Sequence, residues 1–181
     1  MSPEHPEGDY AYTDGSSLEN ANPNGGPGGV GVHARINGEI KEWGIGYHKT
    51  TNNRMEIRAV IFILEQFEEP TKITVFTDSQ YTIDAITKWI HGWKRNNWIT
   101  GAGLPVKNKD LFEKLDALMK LHDVTLSKVK GHSGIPGNEA ADKLAGDAAR
   151  APTMDDEGFI PPSQQPKPPP GYTPWWKQRK K

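Results

Sequence analysis

The chain contains no cysteine, which excludes disulfides, thiolate metal sites and cysteine nucleophiles. No apolar run approaches the ~20 residues of a membrane-spanning helix. The N-terminus, MSPEHPEGD, has neither the basic region nor the apolar stretch of a secretory signal. These absences predict a soluble, cytoplasmic protein with no membrane partner. A strong net charge is missing too: 22 Lys and Arg stand against 23 Asp and Glu. That balance argues neither for nor against a nucleic-acid partner.

At 181 residues and 34% hydrophobic content, the chain suits one domain with one core, plus a tail. The composition changes near residue 150, because residues 151–181 hold eight of the 15 prolines and end in the basic run KQRKK. Proline lacks the donor that helices and ladders need, so a folded domain over 1–150 and a flexible, extended tail over 151–181 are expected. The end of the tail carries Trp175, Trp176, Lys177, Arg179, Lys180 and Lys181. These residues suit a contact with nucleic acid or protein, packing back on the domain, or no specific role beyond solubility.

Within the domain the periodicity changes in an orderly way. Residues 9–14, 29–36 and 39–47 read as strands, with Asn37-Gly38 as a two-residue hairpin signal. Ile57, Val60, Ile61 and Leu64 recur at helical spacing, predicting a helix over 53–68 in which Asn53 and Glu56 have capping-box spacing. A buried strand over 72–77 follows, then a helix over 79–88, an irregular Trp- and Lys-rich stretch, a helix over 109–120, a strand over 124–129 and a helix over 138–150. This order implies an α/β fold: a mixed sheet with an antiparallel half, strands fed by right-handed crossovers, and flanking helices.

Four acids stand near the ends of these elements. Asp14 closes the run 9–13, Asp78 closes the strand 72–77, Glu56 lies early in the long helix and Asp142 early in the last. Asp78 has no Lys or Arg within five residues on either side. Each has a bland reading: Asp78 or Ser79 as a helix N-cap, Glu56 as a capping-box residue, Asp142 as a solvated helix acid. If the first strand and the 72–77 strand are parallel neighbours, however, Asp14 and Asp78 sit side by side. Four acids gathered without cationic partners repel one another unless a cation joins them. Hard oxygen donors without cysteine select Mg²⁺ or Mn²⁺ over zinc.

Residues 85–109 contain no Asp or Glu but hold Lys88, Lys94, Arg95, Lys107 and Lys109, with Trp89, Trp93 and Trp98 interleaved. Cations for phosphates and aromatic faces for sugars or bases make a nucleic-acid groove. Trp89 and Trp93 could equally be core residues. The loop VKGHSGIPGNEAAD holds His132 ten residues before Asp142. His132 is then either a surface residue or a group able to visit the acidic site and move protons.

The segments YTDGSS, NPNGGPGG, TTNNRMEIRA, FTDSQYTIDAITKWIHGWKRNNW, LPVKNKDL and VKGHSGIPGNEAADKLA, in this order, resemble the successive signatures of type 1 ribonuclease H, of the bacterial kind with a basic protrusion. The resemblance implies the ribonuclease H-like fold with a five-stranded mixed sheet. It also implies hydrolysis of the RNA strand of RNA–DNA hybrids by two Mg²⁺ ions, with Mn²⁺ as a substitute, leaving 5′-phosphate and 3′-hydroxyl ends. By that resemblance Asp14 bridges both ions, Glu56 and Asp78 complete one, Asp142 completes the other, and His132 assists proton transfer or product release. Asn52, Asn53 and Gln80 would meet the minor groove, and Thr51 and Asn52 would seat a DNA-strand phosphate. Lys88, Trp89, Trp93, Lys94, Arg95, Trp98, Lys107 and Asn108 belong to the matching protrusion. The loop SSLENANPNGGPGG is longer than the family's usual link, leaving open whether Asn20, Asn22 or Asn24 reaches substrate. A monomeric enzyme is expected. The competing readings are a hybrid-binding module of the same fold without turnover and a retroelement-derived nuclease domain.

Overall fold

Strands form where β-branched and aromatic residues alternate with small ones. A computed structural model describes residues 8–20, 22–130, 134–165, 167 and 170–171. Strands β1 (Asp9–Ser17), β2 (Gly26–Ile36) and β3 (Glu39–Thr50) form an antiparallel meander. The expected Asn37-Gly38 turn joins the last two, with φ of 52° and 81°, the left-handed conformation that such a hairpin requires. Helix α1 (Asn52–Glu65) leads to β4 (Lys72–Thr77), which pairs in parallel with β1. Helix α2 (Gln80–Asp84), a wide turn (Ala85–Trp89), α3 (Ile90–Arg95) and α4 (Lys109–Leu121) lead to β5 (Asp123–Lys128), parallel to β4. Helix α5 (Pro136–Ala149) follows. The sheet order is β3-β2-β1-β4-β5, the five-stranded mixed sheet that the sequence predicts. Among the described residues no helix is long and apolar enough to cross a membrane.

The period of two on β1 divides the molecule into three layers. Ala11 joins the main core with Met55, Ile57, Val60 and Leu64 of α1, while Tyr10 and Tyr12 pack with Ala141 of α5 and Val129. Helix α5 lies close on the sheet because β2 offers glycine there: a Cβ on Gly31 would stand 2.0 Å from the Ala141 carbonyl oxygen.

Strands β1 to β3 run about three residues longer than the sequence expectation and α1 ends three residues earlier, and four other differences have a clear local cause. Thr51, not Asn53, caps α1, its hydroxyl accepting from the Arg54 amide. The expected 79–88 helix is broken where the Ile90 amide reaches back five residues to the Ala85 carbonyl, and helix then continues to Arg95. Pro136 begins α5, since its fixed φ and missing amide suit a first helical turn. The packed chain also runs beyond the expected end near Arg150: Thr153 and Met154 donate to the Gly46 carbonyl, and the Met154 carbonyl accepts from the His48 amide. Trp175, Trp176, Lys177, Arg179, Lys180 and Lys181 lie outside the described residues.

Candidate active site

Asp14 does not end its strand. Its neighbours pair with β2 as far as Ser17, and Asp14 itself lies opposite Gly31. The β1–β4 register ends at Tyr12 opposite Phe76, so two residues further on Asp14 and Asp78 come abreast where β4 stops. Asp14 is 6% exposed, and its Oδ1 accepts from the Gly15 amide at 2.9 Å.

Glu56 reaches Asp14 because Gly15 lets α1 pass close over β1. A Cβ on Gly15 would meet the Glu56 amide nitrogen at 2.2 Å and the Met55 carbonyl carbon at 2.4 Å. Glu56 closes no capping box: it is 5% exposed, and its Oε2 is buried without a hydrogen-bond partner. Capping at the other strand end belongs to Ser79, whose hydroxyl accepts from the Thr82 amide at 3.1 Å. That division of labour frees the Asp78 carboxylate.

One oxygen from each of Asp14, Glu56 and Asp78 falls within 4.8 Å of the others. Asp142, exposed on α5, borders the small cleft beside Asp14 and Asp78, together with Asn138 and Glu139. The sequence reading missed Glu139 and took Asn138 only as a helix start. Their signal was spacing: positions 138, 139 and 142 share one helical face.

Burial first, then the charges of Asp78 and Asp142, push the Asp14 carboxyl up to about 7. Burial, with Asp14 and Asp78 beside it, holds Glu56 well above the ordinary carboxylate range. None of the ion pairs among the described residues involves these four acids. A buried, unpartnered oxygen beside two more carboxylates is costly unless a cation completes it. The all-oxygen donor set fits a hard divalent ion.

The remaining sequence candidates separate by environment. Thr51 and Asn52 are half-buried at the start of α1, and Asn53 is exposed. Gln80 is exposed and donates to Asp84 Oδ1 at 2.8 Å, while Lys88 pairs with the same carboxylate at 3.4 Å. Trp93 packs against Phe112 and Trp98 at ring distances of 5.3 and 5.9 Å, whereas Trp89 is 44% exposed. The core reading therefore holds for Trp93, whereas Trp89 stands half-exposed with its ring 6.0 Å from Tyr81 and 6.1 Å from Trp93. Lys94 is bound to Asp116 at 2.6 Å, Lys109 stands over the Trp98 ring, and Arg95 and Lys107 are exposed. Asn108 is tied inward, accepting from Arg54 at 3.3 Å and donating to the Tyr81 hydroxyl at 3.0 Å. Asn22 is engaged with Glu19 at 3.3 Å, and its Oδ1 accepts from the Asn24 amide at 3.0 Å. His132 lies outside the described residues.

Comparison with known proteins gives one family. The RNase H family matches residues 7–150. The chain is 48% identical over 155 residues to the ribonuclease H of Shewanella sp. (strain ANA-3), covering 85% of this chain and 96% of that protein. It is 48% identical over 150 residues to the ribonuclease HI of Pasteurella multocida (strain Pm70), covering 83% and 95%. Among solved structures, LC9-RNase H1, a type 1 RNase H with the type 2 active-site motif, superposes with a TM-score of 0.71 at 29% identity, over 86% of this chain and 81% of that one.

Proposed function

The chain belongs to the ribonuclease H family, and from that premise we propose how its residues divide the work of an endonuclease that cleaves the RNA strand of RNA–DNA hybrids. The observation that carries the reading is the approach of Asp14, Glu56 and Asp78 within 4.8 Å, with one Glu56 oxygen buried and unpartnered. Asp14, Glu56 and Asp78 would hold one divalent cation, and Asp14 with Asp142 would hold a second; Mg²⁺ is the expected ion and Mn²⁺ a substitute. When bound, such ions supply Lewis-acid activation of water and stabilisation of the leaving 3′-oxygen, giving 5′-phosphate and 3′-hydroxyl ends.

The protein's own groups supply position and selectivity. Thr51 and Asn52 seat a phosphate of the DNA strand at the start of α1, where unpaired amides favour anions. Asn52, Asn53 and Gln80 read the 2′-hydroxyls that distinguish RNA from DNA. Lys88, Trp89, Arg95 and Lys107 line the approach, with Trp93, Lys94, Trp98 and Asn108 building the protrusion that presents them. His132 carries a proton to or from the site. Contacts are to backbone and shape, so base preference is weak. We place the enzyme in the cytoplasm as a monomer, with the end of the 151–181 segment as an auxiliary contact for nucleic acid or a partner.

The test is cleavage of an end-labelled hybrid beside duplex DNA, duplex RNA and single-stranded RNA, with Mg²⁺ and with a chelator. Metal-dependent cutting confined to the hybrid's RNA strand is expected. Hybrid binding without cutting in either Mg²⁺ or Mn²⁺ would sink the assignment of the four acids and favour a binding module.

A further inference from the structure

The segment after α5 lies beyond the family match at residues 7–150, yet it supplies a buried carboxylate to the substrate-facing side. The Asp156 side chain is completely buried. It accepts from Thr50 Oγ1 at 2.6 Å, from Arg54 Nε at 2.7 Å and Nη2 at 3.1 Å, and from Arg58 Nε at 2.7 Å. Burial alone would raise its pKa, but the Arg54 and Thr50 bonds and the Arg54 and Arg58 charges hold it below the ordinary value, so it is an anion in this setting.

Arg54 is the hub of a wider network. Its guanidinium also donates to both Asp110 oxygens at 2.9 and 2.7 Å, to Asn108 Oδ1 at 3.3 Å and to the Glu157 carbonyl at 3.1 Å. Asn108 in turn donates to the Tyr81 hydroxyl. One guanidinium thus ties together the start of α1, the chain entering α4, the first turn of α2 and the C-terminal segment. Thr51, Asn52 and Asn53 lie between Thr50 and Arg54; Gln80 precedes Tyr81; Lys107 precedes Asn108. Three stretches proposed to touch substrate are therefore held in mutual register by one buried network. Two neighbours complete the clasp. The Phe159 ring packs on Gly25, where an added Cβ would come within 2.8 Å of it. Gly158, at φ +87°, leaves room for the Asp110 carboxylate.

We propose that Asp156, acting through Arg54, is a positioning residue for hybrid binding: it sets the spacing of the substrate-contacting stretches at α1, α2 and the entry to α4. This rests on the ribonuclease H reading above. A rigid register of contacts lowers the ordering cost of binding, so loosening it costs affinity before it costs chemistry.

The sign of the effect separates positioning from charge. Removing the Asp156 anion leaves Arg54 and Arg58 less neutralised, and a more positive face by itself binds nucleic acid more tightly. Loss of register does the opposite. The experiment measures Kd for a fluorescently labelled RNA–DNA hybrid in chelator, and KM and kcat in Mg²⁺, for the full chain, for Asp156→Asn and for Gly158→Ala. Gly158→Ala keeps the charge but crowds Asp110 and Arg54. Ile73→Ala, at the far end of the sheet, serves as a control that loses stability without touching the network. All are assayed well below their melting temperatures.

Both clasp variants should weaken binding by about tenfold or more and raise KM, with kcat held within about threefold; the control should leave Kd unchanged. Unchanged or tighter binding by Asp156→Asn would overturn the proposal. So would an equal loss in the control, because Asp156 would then be only a structural clip. Cleavage by the unmodified chain reports separately on the enzymatic reading, and Kd in chelator tests the positioning role whichever way that result falls.

Discussion

Replacing Asp14 by Asn should abolish cleavage and yet make the metal-free protein more stable. The carboxyl lies at about 7 against an ordinary value of 3.8. At ~1.4 kcal/mol per tenfold change in proton affinity, that displacement corresponds to about 4 kcal/mol of stability forfeited once the group is ionised. The sign follows from proton counting. Between about pH 4 and pH 7 the native carboxyl keeps its proton while the unfolded one has lost it, so stability falls as pH rises through that window. Asparagine carries no such penalty, and its Oδ1 can still accept the Gly15 amide bond. Its amide remains desolvated beside Asp78, which offsets part of the gain, leaving about 2 kcal/mol, or about 5 °C in Tm, at about pH 8. Urea and thermal melts of both proteins in chelator, at about pH 5.5 and about pH 8, give the comparison. The advantage of the variant should be largest at the higher pH and shrink at the lower. Equal stability at about pH 8, or an advantage that grows on acidification, would refute the view that mutual repulsion and burial load this site.

Three further outcomes follow from the same geometry. Adding Mg²⁺ at about pH 8 should raise the Tm of the unmodified protein by an amount that grows with the logarithm of its concentration, and should flatten the pH dependence; no response in Tm would mean that the three carboxylates hold no ion. Gly15→Ala should lower stability by about 3 kcal/mol and activity by far more, because the added Cβ displaces the α1 backbone that carries Glu56; a variant with full activity would show that the close crossing is not required. Trp93→Ala, which strips a ring from Phe112 and Trp98, should cost about 3 kcal/mol in urea melts, while the exposed Trp89→Ala should leave stability within about 1 kcal/mol and weaken hybrid binding by about tenfold. Equal stability losses would return both rings to the core.

The sequence shows most where local chemistry decides. Asn37-Gly38 dictates its hairpin, the 3.6-residue spacing of Ile57, Val60, Ile61 and Leu64 dictates α1, and the run over 72–77 dictates β4. Boundaries slip where two residues compete for one role. Asn53 has the right spacing to Glu56 for a capping box, but Thr51 takes the cap because the α1 contact with Gly15 commits Glu56 to the interior. The wide turn at Ala85–Trp89 leaves no compositional mark, since it contains neither glycine nor proline, and its buried Ile86 and the following Ile90 read as ordinary helical core positions.

The two buried carboxylate systems differ in legibility for a physical reason. Asp78 stands out because no cation lies near it in sequence, and the fold leaves its cluster without an ion pair among the described residues. An acid that violates the pairing rule announces a missing positive charge, and that signal survives in one dimension. Asp156 obeys the rule, but its cations Arg54 and Arg58 lie about a hundred residues upstream. In the sequence it is one acid among several in a proline-rich stretch whose composition argues for loose chain. Acids that gather without cations are thus easier to read than acids the fold pairs, because the first are defined by what they lack nearby and the second by what the fold brings to them. Asp156 belongs to that second class, and only the Arg54 network, seen in three dimensions, connects it to the stretches proposed to meet substrate.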